Sequence, residues 1–297
     1  MLKLPWGKRP HITLPLLLLQ FAAAQICKPC HQPQHSQQSA SAHARSLSRP
    51  SDHPLAASFP AAIGKPDWAF GAGTQAVTFV SRKDEDAYVE HPLSYYPSLK
   101  RLAPTPGHAN KSGALYPTFG PDAAILRCFQ CHSTGGLRVA ENNTIEPAEP
   151  GVSCENCHGA GGDHARSPSK QNIHRPAAPD LNQLCGSCHR KPAAAGDETD
   201  FSNEWNVRHQ PLYFSRSKCY LKSAGNLSCL NCHPAHGGVT KQACAGCHPS
   251  PKHTVRTAGK TCVNCHMPDV RPLEGLRFAN HWIGVYRPGD ALIPLRR

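Results

Sequence analysis

Apolar and polar positions alternate clearly in one stretch of the chain. Within residues 74–91, Val77 and Phe79 lie in an extended apolar segment, and the polar run KDEDA at 83–87 reads as a turn. Tyr88 and Val89 then resume the apolar pattern, which predicts a β-hairpin. Elsewhere the signal is of another kind. Residues 12–21 form a short leucine-rich run behind Lys3, Lys8 and Arg9, and Ala22, Ala23 and Ala24 follow it. That order predicts a secretory signal peptide over residues 1–24, because a membrane span needs about 20 apolar residues and this run is shorter. Residues 32–60, rich in Gln, Ser, Ala and His, read as a linker. From residue 92 onward, prolines interrupt too often for long helices. Short helices and turns between Gly- and Pro-rich loops are expected there.

Composition changes the picture. The 297 residues include 29 Pro and 23 Gly but only 2 Met and 4 Trp, which is thin material for an ordinary apolar core. They also include 15 Cys, and all but one fall into seven copies of a single pattern, C-x-x-C-H. The copies pair Cys27 with Cys30, Cys128 with Cys131, Cys154 with Cys157 and Cys185 with Cys188. Three more pair Cys229 with Cys232, Cys244 with Cys247 and Cys262 with Cys265. The histidines that close the motifs are His31, His132, His158, His189, His233, His248 and His266.

Two cysteines at this spacing reach the two vinyl groups on one edge of a porphyrin, and the next residue then lies under the iron as an imidazole ligand. Zinc sites built from C-x-x-C pairs have no need of a His after every pair. A thioredoxin-type site needs one C-x-x-C. A disulfide scaffold leaves an odd cysteine and gives the histidines no purpose. Export, which would oxidise free thiols, is compatible with thioether attachment, and seven covalent c-type haems are expected. The fold class that follows is a multihaem cytochrome c, mostly irregular, with short α-helices, a small β-hairpin and a core packed by haem. Motif spacing divides the chain into a signal peptide (1–24), an N-terminal haem segment with linker (25–60), a hairpin-containing segment (61–127) and a six-haem region (128–297).

The formal charge of +12 invites a nucleic-acid reading. Removing Lys3, Lys8 and Arg9, adding two propionates per haem and counting one positive charge for each ferric iron brings the total close to neutral, so the basic side chains are better placed as propionate counter-charges. No nucleic-acid partner is expected.

The sixth iron ligand sets the chemistry: a second His closes the site for electron transfer, whereas an open position admits a small molecule. Past residue 24 the histidines outside the motifs are His35, His43, His53, His91, His108, His164, His174, His209, His236, His253 and His281, enough to close every site. In CHPAH, His236 is three residues after His233 and would point the same way on a helical turn, so it should serve a neighbouring haem. In CHGAGGDH the glycines let the backbone pass close to a porphyrin before His164.

Several segments resemble a family of bacterial multihaem cytochromes. The family includes the tetrahaem cytochrome of ammonia oxidisers, pentahaem nitrite reductase and octahaem hydroxylamine oxidoreductase. They are HARSL at 43–47, HPLSYY at 91–96, PGVSCENCHGAGGDH at 150–164, HQPLYFSRSKCYLKSAGNLSCLNCHPAH at 209–236, CVNCHMP at 262–268 and NHWIGVYRP at 280–288. The resemblance implies distal ligands at His43, His91, His164, His236, His253 and His281. It leaves the seventh among His209, His108 and His174, with His209 preferred; His35 and His53 are assigned to loops. Nitrite reductases of this group use a C-x-x-C-K site. Every motif here ends in His, which disfavours that activity. Gln75 stands where relatives often have His, and no ligand is expected there. Cys219 has no thiol left to pair with and reads as a buried thiol, the sharper alternative being an axial or reactive cysteine. Met267 reads as packing.

The function expected is electron transfer through seven mostly bis-His, low-spin haems, in the periplasm or outside the cell, with redox proteins as partners. The alternatives are an oxidoreductase working on a small nitrogen or sulfur compound at one open haem, or a subunit of a membrane redox complex or a self-assembled cytochrome filament.

Overall fold

The computed structural model describes residues 26–84, 87–107, 114–117, 124–224, 226–236, 243–253 and 259–295. The expected signal peptide and His108 lie outside them.

The chain opens with helix α1 (Gln32–Ser39), started by a proline at its first turn. It then lays down strand β1 (Leu47–Ser48), β2 (Trp68–Phe70), β3 (Thr78–Asp84) and β4 (Ala87–Glu90). Strands β3 and β4 pair antiparallel as the expected hairpin. A separate hairpin follows from β5 (Leu93–Tyr96) and β6 (Arg101–Pro104), and Val77 bridges it to the first. Strand β7 (Ala114–Pro117) then adds to β4, giving a five-stranded antiparallel sheet in the order β1-β2-β3-β4-β7. The expected small hairpin is therefore the middle of a larger sheet. All three residues of β2 are buried. The turn after β2 needs Gly71, whose φ is +107° and whose added Cβ would strike the Ala76 carbonyl.

Helix α2 (Ala124–His132) carries the second motif and buries Ile125, Leu126 and Phe129 against the sheet, where Leu47, Trp68, Phe70, Val80, Tyr88 and Ile145 meet them. The Phe129 ring lies 5.5 Å from Trp68 and 5.1 Å from Phe70, both edge-on. The sheet and α2 thus have an apolar core of their own side chains, beside the haem packing expected from composition. Residues 32–60 are no linker: Leu47 is 2% exposed and His53 3%. Composition misled there because the order comes from distant partners, β2 above all.

Past β8 (Ser133–Val139) and β9 (Ile145–Pro150), the helices become short: α3 (Cys154–His158), α4 (Gly162–Arg166), α5 (Ala178–His189), α6 (Gln210–Phe214), α7 (Lys218–Lys222), α8 (Ala243–Cys247) and α9 (Cys262–His266). A two-stranded ribbon of β10 (Asp269–Val270) and β11 (Phe278–Ala279) closes the series. Helices α3, α4, α7, α8 and α9 bury no residue at all. Helices this short are unstable without tertiary packing, so their support must come from whatever occupies the space between them. A second cluster of Val207, Leu212, Tyr213 and Val270 anchors the C-terminal part. Among the described residues no helix is long and apolar enough to cross a membrane.

Candidate functional site

Five of the seven motif histidines face a second imidazole. Ring centroids are 6.1 Å apart for His31 and His164, 6.0 Å for His43 and His189, 6.5 Å for His158 and His236, 6.2 Å for His233 and His281, and 6.1 Å for His253 and His266. Two imidazoles on opposite faces of one metal should stand about 6 Å apart, from a metal–nitrogen bond of about 2 Å and roughly 1 Å to each ring centre. Side-chain geometry therefore fits an iron porphyrin between the members of each pair.

The hydrogen bonds agree with that fit. Nδ1 pairs with a backbone carbonyl in His158 (to His174 O, 2.9 Å), His266 (to Gly284 O, 2.7 Å), His164 (to Ser169 O, 2.9 Å) and His281 (to Ala279 O, 2.9 Å). His132 follows suit with Ser46 O at 2.9 Å. A carbonyl accepts only from a protonated Nδ1, so the tautomer is fixed and Nε2 keeps its lone pair for a metal. Burial holds His43, His132, His189, His236 and His281 below the ordinary imidazole pKa, His281 at about 4. Each shift favours the neutral imidazole, the form that metal ligation requires.

The remaining candidates are placed differently. His91 has Ser81 Oγ at 2.7 Å from its Nε2 and Phe79 beside it, and among the described residues no motif histidine pairs with its ring. His209 has a buried Nδ1 without a hydrogen-bond partner. Burial, then Arg208, Arg190 and His189, bring its pKa to about 4. It thus stands beside an imidazole that already faces His43. His53 spends both nitrogens locally: Nε2 on Gly71 O at 3.0 Å, and Nδ1 on the Leu55 amide at 3.0 Å. Among the described residues, neither His132 nor His248 has a second imidazole across from it. Gln75 clamps the Arg277 backbone, with Nε2 donating to its carbonyl at 2.8 Å and Oε1 accepting from its amide at 3.0 Å. Cys219 is half-buried, and burial raises its thiol pKa, away from a reactive thiolate.

Two local features position the motifs, and the sequence reading missed both. Ser228 with Asn231 and Thr261 with Asn264 form reciprocal capping boxes around C-L-N-C-H and C-V-N-C-H. The signal was legible as S/T-C-x-N-C-H. The other is Gly151, φ +84°, where a Cβ would collide with the Ala44 carbonyl. This close crossing lets Val152 N donate to His43 O at 2.9 Å and Gly151 N to His132 O at 3.0 Å. All fifteen cysteines are free of disulfides. No group of three or more His, Cys, Asp or Glu converges among the described residues, so imidazoles meet in twos rather than in cages.

Residues 99–159, which hold the second and third motifs, match the family model described as cytochrome c554 and c-prime. The multiheme cytochrome MtrA of Shewanella baltica (strain OS185) is 24% identical over 170 residues, covering 48% of this chain and 45% of that protein. The match thus spans less than half of the curated relative. In fold, the chain is similar to the outer cell wall cytochrome OcwA (TM-score 0.58, 15% identity, 89% of this chain and 79% of that one). It is also similar to the undecaheme cytochrome from the S-layer of Carboxydothermus ferrireducens (TM-score 0.50, 17% identity, 89% and 52%). The repeated attachment motif, the short-helix architecture and these likenesses converge: the chain is similar to the multihaem c-type cytochromes, with residues 99–159 matching a family model and the fold shared with two solved cytochromes.

Proposed function

We propose that this chain is an exported electron carrier that binds seven c-type haems, with at least five closed on both faces by histidine. The observation that carries the reading is the set of five imidazole pairs at 6.0–6.5 Å. The haem irons supply a one-electron couple. Chain residues do the rest. Motif cysteines fix each macrocycle by its edge, backbone carbonyls hold the imidazoles of His132, His158, His164, His266 and His281 in one tautomer, and the short helices keep neighbouring sites close.

A closed, six-coordinate site changes little on gaining or losing an electron, which suits it to transfer and not to substrate binding. Partners on this reading are redox proteins, reached alone or as part of a membrane complex or a filament. Export is supported by the relatives named for an outer cell wall and an S-layer. Intact-mass measurement of the secreted protein, with absorption and electron paramagnetic resonance of its ferric form, tests the proposal. Seven added haems and a predominantly low-spin spectrum are expected. A chain with fewer haems, or a mainly high-spin spectrum, would refute it.

A further inference from the structure

Residues 43–46 touch two haem sites at once. The ring of His43 faces that of His189, the fourth-motif histidine, at 6.0 Å. Three residues on, the Ser46 carbonyl accepts from Nδ1 of His132, the second-motif histidine, at 2.9 Å. The two residues are closed into one turn, because Ser46 N donates to His43 O at 3.1 Å. That turn is anchored at both ends. Gly71 N donates to Ser46 O at 2.8 Å, and Leu47 then pairs with Phe70 in the sheet. Towards the N-terminus, Ala44 N donates to Ser41 Oγ at 3.2 Å.

A second segment fixes how far the turn can move. Val152 N donates to His43 O at 2.9 Å, and Gly151 N donates to His132 O at 3.0 Å. Ser46 Oγ donates to that same His132 carbonyl at 3.2 Å. Gly151 is buried, and its own carbonyl accepts from Thr134 Oγ1 at 2.8 Å, which holds it from behind. Its φ is +84° and a Cβ would strike the Ala44 carbonyl, so only glycine lets the two segments cross at this distance.

We propose that residues 43–46 form one strap that sets the second and fourth haem sites together, with Gly151 as the positioning residue that acts on it through Ala44. The inference rests on the carrier reading above. The strap controls a different property at each site. At the fourth it carries His43, the imidazole that closes one face, so displacing the strap opens that face. At the second it supplies the acceptor for the Nδ1 proton of His132. Such a bond makes the ring a more basic ligand and favours ferric iron, so weakening it moves that site's potential upward. One backbone displacement therefore opens a coordination position at one haem and raises the potential of another. The third motif, which follows Gly151 in the chain, is held by other partners: His158 Nδ1 by His174 O at 2.9 Å, with His236 facing its ring.

The test compares haem-loaded full-chain variants by paramagnetic resonance and potentiometric titration. His43→Ala marks the fourth-site signal, and His236→Ala marks the third-site signal. Gly151→Ala should turn the fourth site high-spin, raise the potential of one further haem and leave the third-site signal in place. Gly275→Ala is the control. Its φ is +87° and a Cβ would meet Tyr96 Cδ1 at 2.7 Å, with Leu99 as the other neighbour. It should destabilise the fold and change no haem. Ser41→Ala removes only the acceptor of Ala44 N and decides the matter if Gly151→Ala does not fold. It should move the fourth-site signal and the same potential, by less. A change confined to the fourth site, or one that includes the third, overturns the strap. So does the same change in Gly275→Ala, or no change in Gly151→Ala and Ser41→Ala. Any of these results in a seven-haem, low-spin parent defeats the strap and leaves the carrier reading standing. A parent with fewer haems, or mainly high-spin, defeats both.

Discussion

Replacing His281 with alanine separates a ligand from a merely buried histidine. Its ring is nearly parallel to that of His233, at 21° and 6.2 Å, and its Nδ1 is held by Ala279 O. Ser217 Oγ donates to its backbone carbonyl at 3.0 Å, a bond that the substitution leaves in place. His281→Ala should therefore retain the local backbone while opening one face of the fifth-motif haem. One site of seven should turn high-spin, about 14% of the ferric signal. The stability cost should be about 1–3 kcal/mol for the Ala279 carbonyl left without its donor. Added imidazole, small enough to enter the space vacated, should restore the low-spin signal. The control is His53→Ala. His53 is buried, more so by exposure than His281, and satisfied on both nitrogens by Gly71 and Leu55, so its loss should also destabilise the fold by about 1–3 kcal/mol per orphaned group without any change of spin. If His281→Ala keeps all seven haems and an unchanged spectrum, the use of 6 Å ring pairs as ligand pairs is wrong.

Three further outcomes follow from the same geometry. Carbon monoxide titrated into the reduced protein should bind at most two haems in seven, since five are closed on both faces; binding by three or more contradicts the pairs. Should one site bind it tightly, the oxidoreductase reading gains the open haem that it needs. Phe129→Ala removes a ring with no exposure from the sheet–α2 core and should cost about 3–5 kcal/mol in denaturant unfolding of the holo protein; a loss below 1 kcal/mol would deny that this core bears the N-terminal half. Burial, partly offset by the Gly71 hydrogen bond, lowers the His53 pKa in the folded state. That group's contribution is complete above its unfolded pKa of about 6.5 and is lost as pH falls below that value. Unfolding at pH 7 and pH 5 should show a smaller acid loss in His53→Gln than in the parent, and equal losses would rule the group out.

The attachment chemistry was legible because it is local: cysteines, spacer and histidine fit within five residues, and nothing distant is needed to recognise them. The hairpin at 78–90 was legible for the same reason, as its alternation is contiguous. Its neighbours were not. Strand β1 has two residues and β2 three, too few for a period to register, and both owe their order to pairing across the sheet. His91 shows how far register matters. Pairing of Val80 with Glu90 and Ser81 with Val89 brings the Ser81 hydroxyl to the His91 ring, and no pattern along HPLSYY announces that contact. His43 and His189 meet across 146 positions of sequence, a separation at which composition and spacing carry no information.

That long reach has a consequence for assembly. A motif with its own helix attaches its macrocycle at one edge, but in each of the five pairs the opposite face is supplied from beyond another motif. The first site waits for the loop after the third, the third for the segment after the fifth, and the seventh for the segment after the sixth. Helices α3, α4, α8 and α9, which bury nothing of their own, gain packing only when these crossings close. Order in these helices is therefore a collective property of the sites, whereas the sheet with α2, and the cluster around Leu212 and Tyr213, have apolar cores that form from side chains alone. Hydrogen exchange on a chain secreted without haem should divide along that line, with protection kept around Phe129, Tyr88 and Tyr213 and lost from α3, α4, α8 and α9. Uniform protection, or uniform loss, would show that the two groups of elements do not differ in what holds them.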